Sequence, residues 1–283
     1  MSPLTVDVYV APMRPFKGAP AQAPGDEPMW SPMSSTLIAG ERDAILVDTL
    51  VTIDQVDALA DWVRGFDKHI VLVYITHGHQ DHWIGLARLQ EHFPDARGLA
   101  TPEVVGRATF EATDPGLSNY WKTIFAGELP ETPVLPEALD GSEFELEGQA
   151  LKALAIGQGD TEFSTVLHVP SADAVIGGDV VYNRVHMMTA ETDETLREAW
   201  IASLDAVAAL NPKIVVAGHK RVGAPDTPDS IQRSQQYLRD FSSIVNGGGD
   251  VADIVAAMLK IHGDRDNPRT LWHSARTAVA KRG

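Results

Sequence analysis

The sequence predicts an α/β fold. Short apolar runs of strand length alternate with segments of helical period along most of the chain. The run Ile70 to Ile75 is apolar throughout, as expected of a strand buried on both faces. It ends in a histidine-rich turn that leads directly into a helical pattern. The 283 residues are 44% hydrophobic and 22% charged, enough for a large core without covalent staples.

Taken in order, Leu4 to Val10 alternates polar and apolar residues and reads as a strand. Ala11 to Pro32 holds six prolines and two glycines and reads as a long irregular loop, a lid candidate. Thr36 to Ala39 and Ala44 to Val47 flank the tight turn Gly40-Glu41-Arg42-Asp43, a hairpin signal. Ile53, Val56, Ala60 and Val63 recur at helical spacing, as do Leu86, Leu89 and Phe93 after the histidine-rich turn. Pro102 to Phe110 and Leu117 to Ala126 read as helices. Phe144 to Leu146, Leu151 to Ile156, Ser164 to Val169, Ala174 to Ile176 and Ile214 to Ala217 read as strands. Thr195 to Leu210 is an amphipathic helix. Residues 228–283 form a mostly helical C-terminal extension, broken at Asn246 to Gly249. No repeat or linker divides the chain, so one domain over 1–283 is expected.

The charge narrows the partners. With 23 basic and 39 acidic residues the net charge is −16. Such a chain repels phosphate backbones and anionic lipid, so neither nucleic acid nor membrane is expected. A small-molecule substrate is the expected partner, and the sequence leaves the oligomeric state open. The absence of cysteine removes disulfides, thiolate metal sites and thiol nucleophiles. Met1 to Val10 has no basic stretch followed by a long apolar one, so no signal peptide is expected. No apolar run approaches the roughly 18 residues of a membrane span. The expected location is the cytoplasm.

The chemistry is concentrated in Thr76-His77-Gly78-His79-Gln80-Asp81-His82. In an extended segment, residues two apart point the same way, so His77 and His79 can grip one ion together. Asp81 and His82 come next, where the loop enters a helix, and point elsewhere. The arrangement suits two neighbouring ions. Imidazole and carboxylate are what zinc, manganese or iron accept where thiols are absent. A strand exit feeding a helix entry is also where α/β folds place ligands.

This THGHQDH segment resembles the HxHxDH signature of the metallo-β-lactamase superfamily. Gly178-Asp179 and Gly218-His219 match later features of that family in order, and Ser35 to Val63 is similar to its opening. The resemblance spans most of residues 1 to about 225. It implies a four-layer αββα sandwich. It implies His77, His79, Asp81, His82, Asp179 and His219 as metal ligands, with Asp179 bridging two ions. It also implies that Asp48 buttresses the histidines, although a helix N-cap before Ile53 is the other reading of that residue. The departure is at Gly157-Gln158, where the family usually has Gly-His. Gln158 ligates weakly there, or Asp160 or a water takes its place, or only the second set (Asp81, His82, Asp179, His219) fills. A two-ion site with one weakened position is the favoured expectation.

These residues lead to the expectation of a metal-dependent hydrolase. A bound divalent ion, zinc first with iron or manganese in reserve, lowers the pKa of its water to about 7 and supplies hydroxide. Asp81 and Asp179 are the expected catalytic carboxylates, accepting or relaying the proton. The substrate is expected to be a small ester, lactone or amide-like molecule. His186 and Tyr182 are candidate substrate-binding residues, with packing roles as the plain alternatives. Lys220 reads as a surface lysine or an attractor of a substrate anion. Trp30, Trp83 and Tyr120 read as an apolar wall or as core. His69, His92, His262 and His273 read as solvated. Two rivals remain: an iron-dependent oxygen-using enzyme on the same scaffold, and a non-catalytic metal-binding protein.

Overall fold

The computed structural model describes residues 3–15 and 28–282. Residues 16–27, the middle of the segment read as a lid, lie outside the described residues.

In chain order, the first half holds β1 (Thr5–Ala11), β2 (Arg14–Pro15), β3 (Met29–Trp30), β4 (Met33–Ala39), β5 (Asp43–Val47), α1 (Ile53–Arg64) and β6 (His69–Tyr74). Then come α2 (Gln80–Trp83), α3 (Leu86–His92), β7 (Arg97–Ala100), α4 (Pro102–Thr113), α5 (Pro115–Ile124) and β8 (Glu137–Ala138). The second half holds β9 (Glu143–Leu146), β10 (Gln149–Gly157), β11 (Ser164–Val169), β12 (Ala174–Ile176) and β13 (Tyr182–Asn183). It continues with α6 (Glu194–Ala209), β14 (Ile214–Val216), β15 (His219–Lys220), α7 (Asp229–Asn246), α8 (Val251–His262) and α9 (Pro268–Ala280).

Two sheets carry the molecule. The first has the order β1-β4-β5-β6-β7-β8, the second β14-β12-β11-β10-β9. Strands β5 to β8 run parallel, as do β12 and β14, and the remaining neighbours within the two sheets are antiparallel.

The side-chain period of two sorts each strand between layers. Ile38, Ile45 and Val47 of the first sheet meet Leu167, Ile176 and Val216 of the second in one apolar layer. Their neighbours Leu37 and Leu46 face outward onto Val56 and Leu59 of α1 and Leu86 of α3. On the other side, Val166, Val175 and Val215 pack against Trp200 and Leu204 of α6 and Leu238 and Phe241 of α7. Three apolar layers between four structural layers give the αββα sandwich. The C-terminal helices belong to the outer layer, since Ile254, Met258 and Leu271 join that same cluster.

Two local features position the site. The β4–β5 turn is pinned to the second sheet by Glu147, whose carboxylate accepts the backbone N–H groups of Glu41, Arg42 and Asp43 at 2.7, 2.7 and 2.8 Å. At the other end of β5 the chain turns through Asp48 and Leu50, both left-handed at φ 61° and 70°. A non-glycine residue there costs about 1–3 kcal/mol and persists only where the surroundings enforce it. Asp48 is the residue whose side chain matters.

Candidate metal centre

Every site residue sits at the carboxyl end of a strand. His77 follows β6. His79 is the N-cap of α2, and Asp81 and His82 lie inside that short helix. Asp179 lies in a 3-10 turn after β12, His219 opens β15, and Asp160 follows β10. Close approach of two turns to their neighbours needs glycine. A Cβ on Gly78 would fall 2.3 Å from Arg107 Cγ, and one on Gly218 would fall 2.2 Å from Asp179 Oδ1.

The predicted residues converge. Three trios have ligand atoms within 4.8 Å of one another: His77, His82 and Asp179; Asp81, His82 and His219; His77, His79 and Asp160. His82 Nε2 lies 3.3 Å from Asp179 Oδ1, and His219 Nε2 lies 3.3 Å from both Asp179 Oδ2 and Asp81 Oδ2. The His77 and His82 rings are 4.0 Å apart, so the two expected sets are one continuous cluster.

Asp160 is the residue that reaches His77 and His79. Its carboxylate lies 3.7 Å from His77 Nε2 and 2.9 Å from His79 Nδ1. The Gln158 amide nitrogen instead donates to the Gly159 carbonyl at 3.0 Å. The β10–β11 register shifts between Ala155 and Gly157, where Gly157 has φ 97°. That irregularity moves the turn along the chain and brings the acid two residues later into place.

The cluster is largely buried, and its charges are set by one another. Burial disfavours charge on Asp179, but His219 and His82 outweigh it and hold the carboxyl well below its usual range. Burial lowers His77 far below an ordinary histidine, with His82 adding to it. For His79, burial is overcome by Asp160 and Glu191, which raise it well above the usual value. Burial lifts Asp160 to about 7, against the pull of His79.

Supporting contacts fix the rings. The Asp48 carboxylate pairs with His82 Nδ1 at 2.8 Å and accepts from the Thr76 backbone N–H at 2.9 Å. The cap of α1 is Thr52, so Asp48 is the buttress and not the N-cap. Glu191 Oε1 lies 3.1 Å from His79 Nε2 and accepts from Arg107 at 2.8 Å. Tyr182 donates from its hydroxyl to Asp179 Oδ2 at 2.5 Å and stacks on His219. Its partner is therefore Asp179.

The donor set fits a cation. Among the described residues, His77 Nε2, His82 Nε2, Asp160 Oδ1 and Asp179 Oδ1 are buried atoms without a hydrogen-bond partner, and all four belong to this cluster. Unpartnered buried atoms are costly, and a shared ion satisfies them together.

The cluster opens into a cavity of about 320 Å³. Trp30, Leu117, Tyr120, Trp121 and Met188 line it, as does His186. Trp83 is core, its indole donating to the Gly78 carbonyl at 2.9 Å. Other expectations need correction. Lys220 is buried and ion-paired with Asp226, so it is neither a surface lysine nor an attractor of substrate. His262 is buried and pairs with Asp240 at 2.9 Å. His273 lines the cavity together with Asn267, Arg269 and Thr270. Sequence reading missed these C-terminal residues and Glu191, because neither motif nor spacing ties them to the histidine-rich turn. Arg107 and Glu111, a helical i,i+4 pair at 2.9 Å, left a weak signal.

The metallo-beta-lactamase superfamily model matches residues 29–219. Solved structures match the fold. A metallo-beta-lactamase family protein from Thermus thermophilus is 19% identical, with 88% of each chain covered and a TM-score of 0.63. A metallo-beta-lactamase from Pontibacter korlensis is 17% identical, covering 85% of this chain and 96% of its own, with a TM-score of 0.59. A mono-zinc metallo-beta-lactamase from Pseudomonas aeruginosa is 18% identical, with coverage of 85% and 96% and a TM-score of 0.58. Identities this low carry the fold alone. A comparison with curated protein sequences finds no match. With the family model spanning most of the chain and its histidine–aspartate cluster assembled in one place, the protein belongs to the metallo-beta-lactamase superfamily.

Proposed function

We propose that the protein is a metal-dependent hydrolase of a small, partly apolar ester or lactone. The observation that carries this reading is the set of four unpartnered imidazole and carboxylate atoms gathered beside an aromatic-walled cavity. His77, His79 and Asp160 would hold one divalent ion, Asp81, His82 and His219 a second, with Asp179 shared. When bound, such ions polarise the substrate oxygen and make hydroxide available at neutral pH.

The chain's own residues do the rest. Asp48 and Glu191 orient the His82 and His79 rings through their second nitrogens. Tyr182 holds Asp179 in place, and Asp81 and Asp179 are the carboxylates available to take the proton from water. Trp30, Trp121 and Tyr120 exclude water from one side of the substrate and favour an apolar body.

A second reading has its own support. His77, His79 and Asp160 make a set of two histidines and one carboxylate, the ligand composition of non-haem iron oxygenases. Metal content separates the two. Purified protein carrying zinc or manganese, with ester or lactone hydrolysis abolished by chelation and by His79→Ala, supports hydrolysis. Iron with oxygen consumption supports the alternative. Activity on esters indifferent to both treatments overturns the hydrolytic reading.

A further inference from the structure

His219, which would hold the second ion, sits on β15, a strand of 2 residues. Its ladder with β13 pairs only His219 with Tyr182 and Lys220 with Asn183. The N-terminal side of this strand is anchored. The Gly218 backbone N–H donates to the Gly178 carbonyl at 2.8 Å, and the Gly218 carbonyl accepts from the Ser34 N–H at 2.8 Å. The His219 ring has its Nδ1 3.0 Å from the Pro32 carbonyl. On the C-terminal side the chain enters a turn, with Val222 56% exposed. The Lys220–Asp226 pair lies within that turn. Arg221 ties this side to the rest of the fold.

The Arg221 backbone N–H donates to the Asn183 carbonyl at 3.0 Å. Its guanidinium donates to the Asp266 carboxylate through two bonds, Nε to Oδ2 and Nη2 to Oδ1, both at 2.8 Å. Nη2 also donates to the Asp264 carbonyl. Asp266 is itself locked by its backbone. Its N–H donates to the Arg184 carbonyl at 2.9 Å, its carbonyl accepts the His186 N–H at 3.0 Å, and it forms a parallel bridge with Val185. Arg184 is left-handed at φ 60°, a strained position for a non-glycine residue, just where the chain leaves β13. Asp266 thus joins the strand that carries Tyr182 to the strand that carries His219. Arg221 and Asp266 both lie beyond residues 29–219, the span of the family match.

We propose that Arg221 and Asp266 are positioning residues for the second ion, through which the C-terminal extension holds His219 in place. A planar fork on a carboxylate fixes direction as well as distance, which a point charge does not. The side-chain half of this clamp acts on β15. The half on residues 184–186 is backbone and survives a change of side chain. Weakening the fork therefore loosens His219 and leaves Tyr182, Asp179 and the set of His77, His79 and Asp160 where they are. The two side chains are 35% and 28% exposed, so the pair adds little to overall stability. This role rests on the reading that the cluster holds two divalent ions.

Zinc titration against a chromogenic chelator, resolved into two binding steps, tests it. The step that His219→Ala removes identifies the second ion. In Asp266→Asn that ion is expected to bind about tenfold more weakly, the lower end of the range for supporting contacts, with the other step unchanged. Arg221→Ala is expected to match Asp266→Asn, and the double variant to be no weaker than either, since both remove one interaction. Arg221→Lys keeps the charge without the fork and is expected to recover part of the affinity. A merely structural pair would weaken both steps together and lower the melting temperature. That result, or two unchanged steps, overturns the clamp. Hydrogen exchange supplies a second readout without metal. Metal-free Asp266→Asn is expected to lose protection across residues 217–223 and to keep it across 182–187. Unchanged protection at 217–223 also overturns the clamp. Wild-type protein that binds no ion, with the expected loss of protection in the variant, keeps the clamp on β15 and sinks the metal reading instead.

Discussion

The Tyr182 hydroxyl lies 2.5 Å from Asp179 Oδ2, and both groups are buried. One carboxylate oxygen is thereby fixed by an uncharged donor, while the other, Oδ1, has no hydrogen-bond partner among the described residues. Removing the donor in Tyr182→Phe frees Asp179 to rotate. Metal affinity is expected to fall about tenfold, the lower part of the range for such supporting contacts. Competition against a chromogenic chelator reads it. The metal-free protein is expected to lose about 1.5–3 kcal/mol, the worth of a hydrogen bond to a charged group. Unchanged affinity would show that packing against His219 alone holds the carboxylate.

Asp48 reaches His82 from a left-handed backbone position, which Asn tolerates and Ala does not. Asp48→Asn keeps the shape and weakens the pull on the imidazole. Metal affinity is expected to drop about tenfold with little loss of folding. Asp48→Ala is expected to cost more in both, since backbone strain adds to the lost contact. Equal thermal stability of the two variants would refute the strain argument.

Asp160 and Gln158 make opposite predictions. Asp160→Ala is expected to lower the bound metal toward one ion per chain, with His77 and His79 left a ligand short. Gln158→Ala is expected to leave metal content unchanged, because the Asp160 carboxylate already stands beside His77 and His79. Elemental analysis after dialysis decides between them. The reverse result would restore Gln158 as the ligand.

Glu147 gives a pH signature remote from the metal cluster. Three backbone N–H groups lower its carboxyl from 4.5 to about 2 in the folded chain. The folded state therefore binds fewer protons than the unfolded one between these values. Its contribution to stability is full above pH 4.5 and is lost as pH falls toward 2. The urea midpoint of wild type is expected to exceed that of Glu147→Gln by a constant margin above about pH 5, shrinking steadily below about 4.5. A margin independent of pH would show that the carboxylate charge plays no part.

Much of this was legible in the chain itself. The strand Ile70 to Ile75 and the turn His77 to His82 were readable because their information is local: a period, a run and a spacing. The alternation of Leu37 with Ile38 and of Leu46 with Ile45 likewise encodes which layer each side chain enters. Asp179 and His219 stood out only through resemblance, since nothing local distinguishes them from other acids and histidines that end strands. What the sequence determined by itself was therefore the order of elements, the two-faced strands and the residue types able to hold a cation.

The tertiary structure decided which of those residues meet. A bulge at Gly157 carried Asp160, not Gln158, to the histidines, and a bulge depends on how two strands pair. Asn267 and His273 entered the site because packing of α9 and its leading turn brings them there, and Glu191 entered from the loop that precedes α6. Lys220 went inward because Asp226 compensates its charge. Contacts between residues far apart in sequence leave no periodic trace, so only the folded chain reveals them.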